Sequence, residues 1–252
     1  MRNIKAIFKK QLKDTVKNPT VLIQFIIFPL LAFVMNIMVV TDFHFEGIPE
    51  DIAAMIAKNM PAMPNMVTMQ ATIFAGMGLL NVIPGIISED MEKKSLRFLV
   101  MAGVKPGSYL IGVSGVILFV SLFTSVAFGF IGRFGGLDFL VFTMAMMSSV
   151  VGSVVLGASF GILSGNQQAA SGLVLPISLL LGFGPMIAQF NDTAARILNP
   201  FYTQQLNVVA NYLTAGGGDT PLWQSFVIMW ANVAVLSALF ALIYTKKGLK
   251  AT

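Results

Sequence analysis

The sequence predicts an all-α, polytopic membrane protein with six transmembrane helices, and three observations carry that prediction. Six long apolar stretches run Val21–Val40, Val67–Ser88, Tyr109–Ile131, Phe139–Leu163, Ala169–Phe190 and Trp223–Thr245, and none contains Asp, Glu, Lys, Arg or His. The mean hydropathy is +0.81. Only 11% of the 252 residues are charged, where a soluble domain carries about 25%. Each stretch is long enough to cross a hydrocarbon core of about 30 Å. Unpaired backbone groups are so costly in lipid that a helix is the form such stretches take. No segment between them is long enough for a separate soluble domain, so residues 1–252 read as one transmembrane domain. Cys is absent, which excludes a disulfide framework and a thiolate metal site.

Charge orients the spans. With the N-terminus in the cytoplasm, the inner segments hold 13 of the 16 basic residues and four of the 11 acidic ones. Short loops with this bias obey the positive-inside rule, which puts both termini in the cytoplasm. The basic excess behind the pI of about 9.5 is therefore a topology and membrane-surface feature, not a nucleic-acid patch.

Residues 1–18 predict an amphipathic interfacial helix. Ile4, Ile7, Phe8, Leu12 and Val16 recur at three- and four-residue spacing, with Lys5, Lys9, Lys10, Lys13 and Lys17 around the other face. That pattern suits a helix in the cytoplasmic interface with its lysines toward headgroups. The following apolar run is too long for a cleavable leader and has no small-x-small exit. Asn18-Pro19 ends the helix, since the residue before proline is pushed out of the α region.

Within the spans, Ser149, Ser153, Gly157, Gly161 and Gly165 fall at strict four-residue intervals. Small residues in a stripe let another helix approach closely, and packing is the main source of helix association in lipid. An internal bundle contact is the expected partner, ahead of a dimer seam. Pro29, Pro84, Pro176 and Pro185 each remove a backbone hydrogen bond. Pro176, Gly182, Gly184 and Pro185 predict a broken or flexible fifth span. Residues 191–222 form the longest outer segment. Ala194–Leu198 and Phe201–Leu213, divided by Asn199-Pro200, read as two short re-entrant or interfacial helices, with Gly216-Gly217-Gly218 as the turn into the last span. Met55, Met60, Met63, Met66 and Met69 read as apolar packing rather than a soft-metal site. His44 is given no role.

The usual chemistries are missing from the sequence. There is no G-x-x-x-x-G-K-[ST] phosphate loop, and no H-E-x-x-H, G-x-S-x-G or intramembrane carboxylate pair. Ion-driven carriers generally place ionisable groups within the bilayer, and these spans have none. A conduit built this way borrows its energy or is passive.

Several local patterns resemble the permease subunit of an ATP-binding-cassette exporter of the second type. They are the basic helix leading to Lys17-Asn18-Pro19 and then Phe28-Pro29, the loop from Ile87 through Glu89, Asp90, Glu92, Lys93, Lys94, Ser95 and Leu96 to Ala102-Gly103-Val104-Lys105, and Leu198-Asn199-Pro200-Phe201. The resemblance covers essentially the whole chain. The chain departs from it at Lys94-Ser95-Leu96, where relatives have a Gly-Thr-Leu-like stretch.

The resemblance implies a non-enzymatic transport subunit that forms the cargo path together with a second permease chain. A separate ATPase subunit would bind ATP and Mg, with no cofactor in this chain. Glu89, Asp90, Glu92, Lys93, Lys94 and Ser95 would couple to that ATPase. Pro185, Asn199, Pro200 and Phe201 would form an outer gate, and the location would be the inner membrane of a bacterial or archaeal cell. The charge-free spans favour an amphiphilic cargo such as a drug, a peptide or a lipid-linked molecule. A non-transporting sensor, immunity or assembly subunit, and a passive channel or secondary carrier, stay open on the residues alone.

Overall fold

The computed structural model describes residues 2–42, 66–95, 101, 106–215 and 221–243, and all regular structure among them is helical. The described residues contain six helices long and apolar enough to cross a membrane. The chain is a multi-pass helical membrane protein.

A single residue separates the first two helices, α1 (Arg2–Lys17) and α2 (Pro19–Asp42). The Asn18 N–H donates back to the Asp14 carbonyl at 3.0 Å, closing α1. The Asn18 Oδ1 accepts from the Val21 N–H at 3.4 Å, capping α2. Pro19 takes the first helical position, where its missing donor has no intrahelical partner to lose.

The third helix, α3 (Met66–Glu92), is the hub: 78% of its apolar window is buried, against 22% for α2. It is not regular throughout. Phe74–Gly78 form one π-helical turn, in which the Leu79 N–H bonds to the Phe74 carbonyl. Phe74 is fully buried there, ringed by Phe25, Phe28 and Phe128 at centroid distances of 5.6, 5.8 and 6.1 Å.

Then follow α4 (Pro106–Ile131), α5 (Gly136–Ser164), α6 (Gln167–Ala188), the short α7 (Asp192–Leu198), α8 (Tyr202–Ala215) and α9 (Leu222–Ile243). The α3 helix packs against α2, α5, α6 and α8, while α5 packs against α3, α4, α6, α8 and α9. Only 11% of α9's window is buried, which leaves it at the rim against α5 and α8.

The small-residue stripe faces α3 inside the bundle. A Cβ on Gly157 would lie 3.0 Å from the Ile83 Cβ, and one on Gly161 would lie 2.8 Å from the Ile87 Cβ. Gly165 does not share this packing. It caps α5 in the left-handed region at φ +72°, with nothing within 4 Å of the Cβ it lacks. That conformation is available to glycine without strain. Asn166 then caps α6, its side chain accepting from the Ala169 N–H at 2.7 Å.

The fifth span is not broken. The α6 helix runs continuously through Pro176 and Pro185. Proline at 185 frees the Leu181 carbonyl, and Gly76 in the π turn of α3 meets it. A Cβ on Gly76 would lie 2.4 Å from the Leu181 carbonyl carbon, 2.5 Å from its oxygen and 2.6 Å from the Gly182 nitrogen, so only glycine lets the two backbones approach this closely. The Asn207 Nδ2 donates to the Pro185 carbonyl at 3.4 Å. The expected apolar stripe of α1 also divides: Ile7, Gln11 and Thr15 face inward, while Val16 is 56% exposed. His44, Met55, Met60, Met63, Leu96, Arg97, Ala102–Lys105 and Gly216–Gly218 lie outside the described residues.

Candidate functional site

At the end of the bundle that carries α1, the last turn of α3 meets α1, α4 and α6. Asp90 is the centre of this junction and is only 8% exposed. Its Oδ2 accepts from the Tyr109 hydroxyl at 2.6 Å, and its Oδ1 accepts from the Lys10 ammonium at 3.4 Å. Lys10 also pairs with Asp14 at 3.7 Å, one turn further along α1. A buried carboxylate needs such partners, because an uncompensated charge is the costliest group to enclose. Here two helices, α1 and α4, supply them.

The neighbouring acidic residues serve other ends. Glu89 pairs with Lys93 on the same helix face, and that hydrogen bond holds the Lys93 ammonium above its usual pKa. The pair is largely exposed and adds little stability. The Glu92 Oε1 accepts from the Gln167 N–H at 3.1 Å, so a carboxylate from α3 sits at the amino end of α6, where the helix dipole favours negative charge. Residues α1, α3, α4 and α6 contribute are thus tied at one level by Lys10, Asp90, Tyr109 and Glu92.

Lys94 ends α3 with φ +56°, its N–H donating to the Met91 carbonyl at 3.0 Å. A left-handed residue at this point normally is glycine. The left-handed backbone costs a side-chain-bearing residue roughly 1–2 kcal/mol. Lys94→Gly is therefore expected to raise thermal stability in detergent by about 1 kcal/mol. A variant that melts at or below the wild-type temperature would contradict this assignment of strain.

Between α1 and the end of α3 opens a cleft of about 580 Å³ lined by Lys10, Asp14, Thr15, Lys17, Glu89, Asp90, Lys93 and Ser95 among others. Acidic and basic groups both line it. The Thr15 Oγ1 is buried there without a hydrogen-bond partner among the described residues. Of the residues expected to couple to a partner, Glu89, Asp90, Lys93 and Ser95 line this cleft; Glu92 caps α6, and Lys94 forms the turn. Lys10, read from the sequence as one of the lysines of the amphipathic helix, and Tyr109 complete the site; the sequence tied neither to Asp90, because they reach it across 80 and 19 residues.

The opposite end is also polar and cross-braced. The Gln205 Nε2 donates to the Asn199 Oδ1 at 2.9 Å and to its carbonyl. Asn232 on α9 donates to the Pro200 carbonyl. Gln189 donates to the Asn207 Oδ1 at 2.9 Å. The expected gate residues Asn199 and Pro200 are exposed at the α7–α8 turn, while Pro185 is buried and Phe201 packs against the core. Tyr202 is a large side chain fully buried at this end, 1% exposed. Its hydroxyl lies 3.0 Å from the Ser153 Oγ, and Ser153 donates to the Ala75 carbonyl in the π turn at 2.6 Å. Tyr202, Ser153 and Ala75 thus join α8, α5 and α3.

Compared with known proteins, the chain matches no family model and no curated protein.

Proposed function

We propose that this chain is the membrane-spanning subunit of an ATP-binding-cassette exporter, forming a cargo path with a second permease chain and driven by a separate ATPase. The observation that carries this reading is the junction around Asp90. Four helices meet there through Lys10, Tyr109, Glu92 and Gln167, and a charged cleft opens beside them. A partner seated on such a junction moves several helices when it moves, which is what borrowed energy requires. The apolar runs 21–40, 67–88, 109–131, 139–163, 169–190 and 223–245 hold no Asp, Glu, Lys, Arg or His for an ion-driven cycle, and Asp90 stands just past the second of them.

In this reading the end bearing α1 is cytoplasmic, in keeping with the concentration of 13 of the 16 basic residues in the segments on that side. Glu89, Lys93 and Ser95 contact the ATPase, and Asp90 passes the displacement to α1 and α4. At the far end, α7 and α8 form the outer gate, braced by Asn199, Gln205 and Asn232. The cargo is amphiphilic, in keeping with spans that present Leu30, Phe33, Leu179 and Phe183 rather than charge.

The test is isolation of the tagged chain from its native membrane in mild detergent, with co-purifying chains identified by mass spectrometry. An ATPase bearing a phosphate-binding loop is expected in stoichiometric amount, with hydrolysis that changes on reconstitution with this chain. Recovery with no ATPase, or solute conduction by the chain alone, would overturn the reading.

A further inference from the structure

We propose that α1 carries a binding surface for anionic phospholipid headgroups, formed by Lys5, Lys9 and Lys13 beside an apolar edge of Phe8, Leu12 and Val16. The helix has four rows at four-residue spacing, one of which, Ala6, Lys10 and Asp14, turns toward Asp90 at the end of α3. Ile7, Gln11 and Thr15 are buried against the bundle. Phe8 and Leu12 are half-buried and Val16 is exposed, forming the next strip round. Lys5, Lys9 and Lys13 follow, all exposed, and none of them makes an ion pair among the described residues. The one carboxylate of α1, Asp14, is committed to Lys10. A row of cations next to an apolar strip has the chemistry of an anionic lipid: phosphate on the lysines, acyl chains along the strip.

The depth of α1 fits that occupant. The Phe8 ring lies against Gly115, where a Cβ would come within 3.3 Å of it, and meets Phe119 edge-on at 6.3 Å. Along α4 the large apolar side chains Ile111, Phe119 and Phe123 are exposed at 58%, 46% and 63%, the pattern of a lipid-facing surface. At about 1.5 Å per residue, Gly115 stands about 6 Å past Ile111. Interfacial helices sink their apolar face about 5–10 Å into the boundary between headgroups and acyl chains. At that level the lysine row shares the layer of lipid phosphates. An acidic protein partner would meet the lysines but would leave the apolar strip beside them uncovered.

Each lysine near an anionic surface strengthens binding about fivefold, so three acting together give on the order of a hundredfold. The experiment uses the purified chain alone, with no ATPase, so its outcome does not depend on the transport reading. Wild type and a Lys5→Gln, Lys9→Gln, Lys13→Gln variant are reconstituted in phosphatidylcholine, with and without phosphatidylglycerol. Retained lipids are read by native mass spectrometry and stability by thermal unfolding. Wild type is expected to enrich phosphatidylglycerol and to melt several degrees higher in its presence. The glutamine variant is expected to lose at least tenfold of that enrichment while melting like wild type in phosphatidylcholine alone. A triple arginine variant, which keeps the charge, is expected to retain the enrichment. Equal enrichment by the glutamine variant would overturn the proposal. So would a wild-type chain that shows no preference for phosphatidylglycerol over phosphatidylcholine, since the row would then be left as a protein-docking face.

Discussion

Gly76→Ala is expected to destabilise the chain by about 2–3 kcal/mol, an effect far beyond that of one methyl group in an open position. The added Cβ would lie 2.4 Å from the Leu181 carbonyl carbon and 2.6 Å from the Gly182 nitrogen. These are backbone atoms of α6, so no rotamer change relieves the clash and the two helices must separate. Gly85→Ala is the internal control. It sits in the same helix with nothing within 4 Å of its missing Cβ, and helix propensity alone predicts a gain of roughly 0.5–1 kcal/mol. Denaturant-driven unfolding in mixed micelles measures both. If the two substitutions shift stability alike, the close crossing of α3 and α6 is wrong.

That crossing also shows where sequence reasoning stopped. Two prolines and two glycines toward the outer end of the fifth span predicted a broken or flexible helix, and α6 is unbroken. The freed carbonyl is met from outside the helix, by a glycine more than a hundred positions away, and no local pattern announces such a partner. The π turn is equally silent: Phe-Ala-Gly-Met-Gly reads as ordinary span until Ser153 is found donating to Ala75.

The spans themselves were legible because lipid imposes a length and a composition that few other environments demand. All six observed helices fall on the apolar runs, with ends displaced by a few residues. Asn199-Pro200 did divide α7 from α8, although Asn199 itself keeps helical angles of φ −49° and ψ −38°; the break comes at Pro200, which has no N–H to continue the ladder. The small-residue stripe was legible at Gly157 and Gly161 but misled at Gly165, since a glycine records either a need for closeness or a need for positive φ, and spacing does not distinguish them. In the candidate site, the acidic cluster was visible as a run of charges. Its division of labour was not. Glu89, Asp90 and Glu92 stand within four residues, yet one is exposed in a local pair, one is buried under three helices and one caps a fourth.

Asp90 is where this division has its largest consequence. Asp90→Ala is expected to cost about 2–3 kcal/mol, because it leaves the Tyr109 hydroxyl enclosed without an acceptor. Tyr109 is 6% exposed and has no other hydrogen bond among the described residues. Lys10 contributes little to the loss: its side chain is 53% exposed and keeps Asp14 as a partner. Tyr109→Phe removes the donor but leaves a carboxylate still paired with Lys10, and is expected to cost about 1 kcal/mol. The double variant decides the cause. With donor and acceptor both gone, nothing polar is stranded, and the pair replaced together should be more stable than Asp90→Ala alone by about 1 kcal/mol, the non-additivity expected of residues in contact. Additive losses would mean that Asp90 acts through packing rather than through the hydrogen bond. The same variants test the coupling proposal, since Asp90 ties α3 to α1 and α4. Asp90→Ala should uncouple ATP hydrolysis from transport even in the fraction that remains folded, whereas Lys94→Gly, which only relaxes the turn, should leave coupling intact. An Asp90→Ala protein that transports at the wild-type ratio of cargo to ATP would show that the junction stabilises the fold without transmitting force.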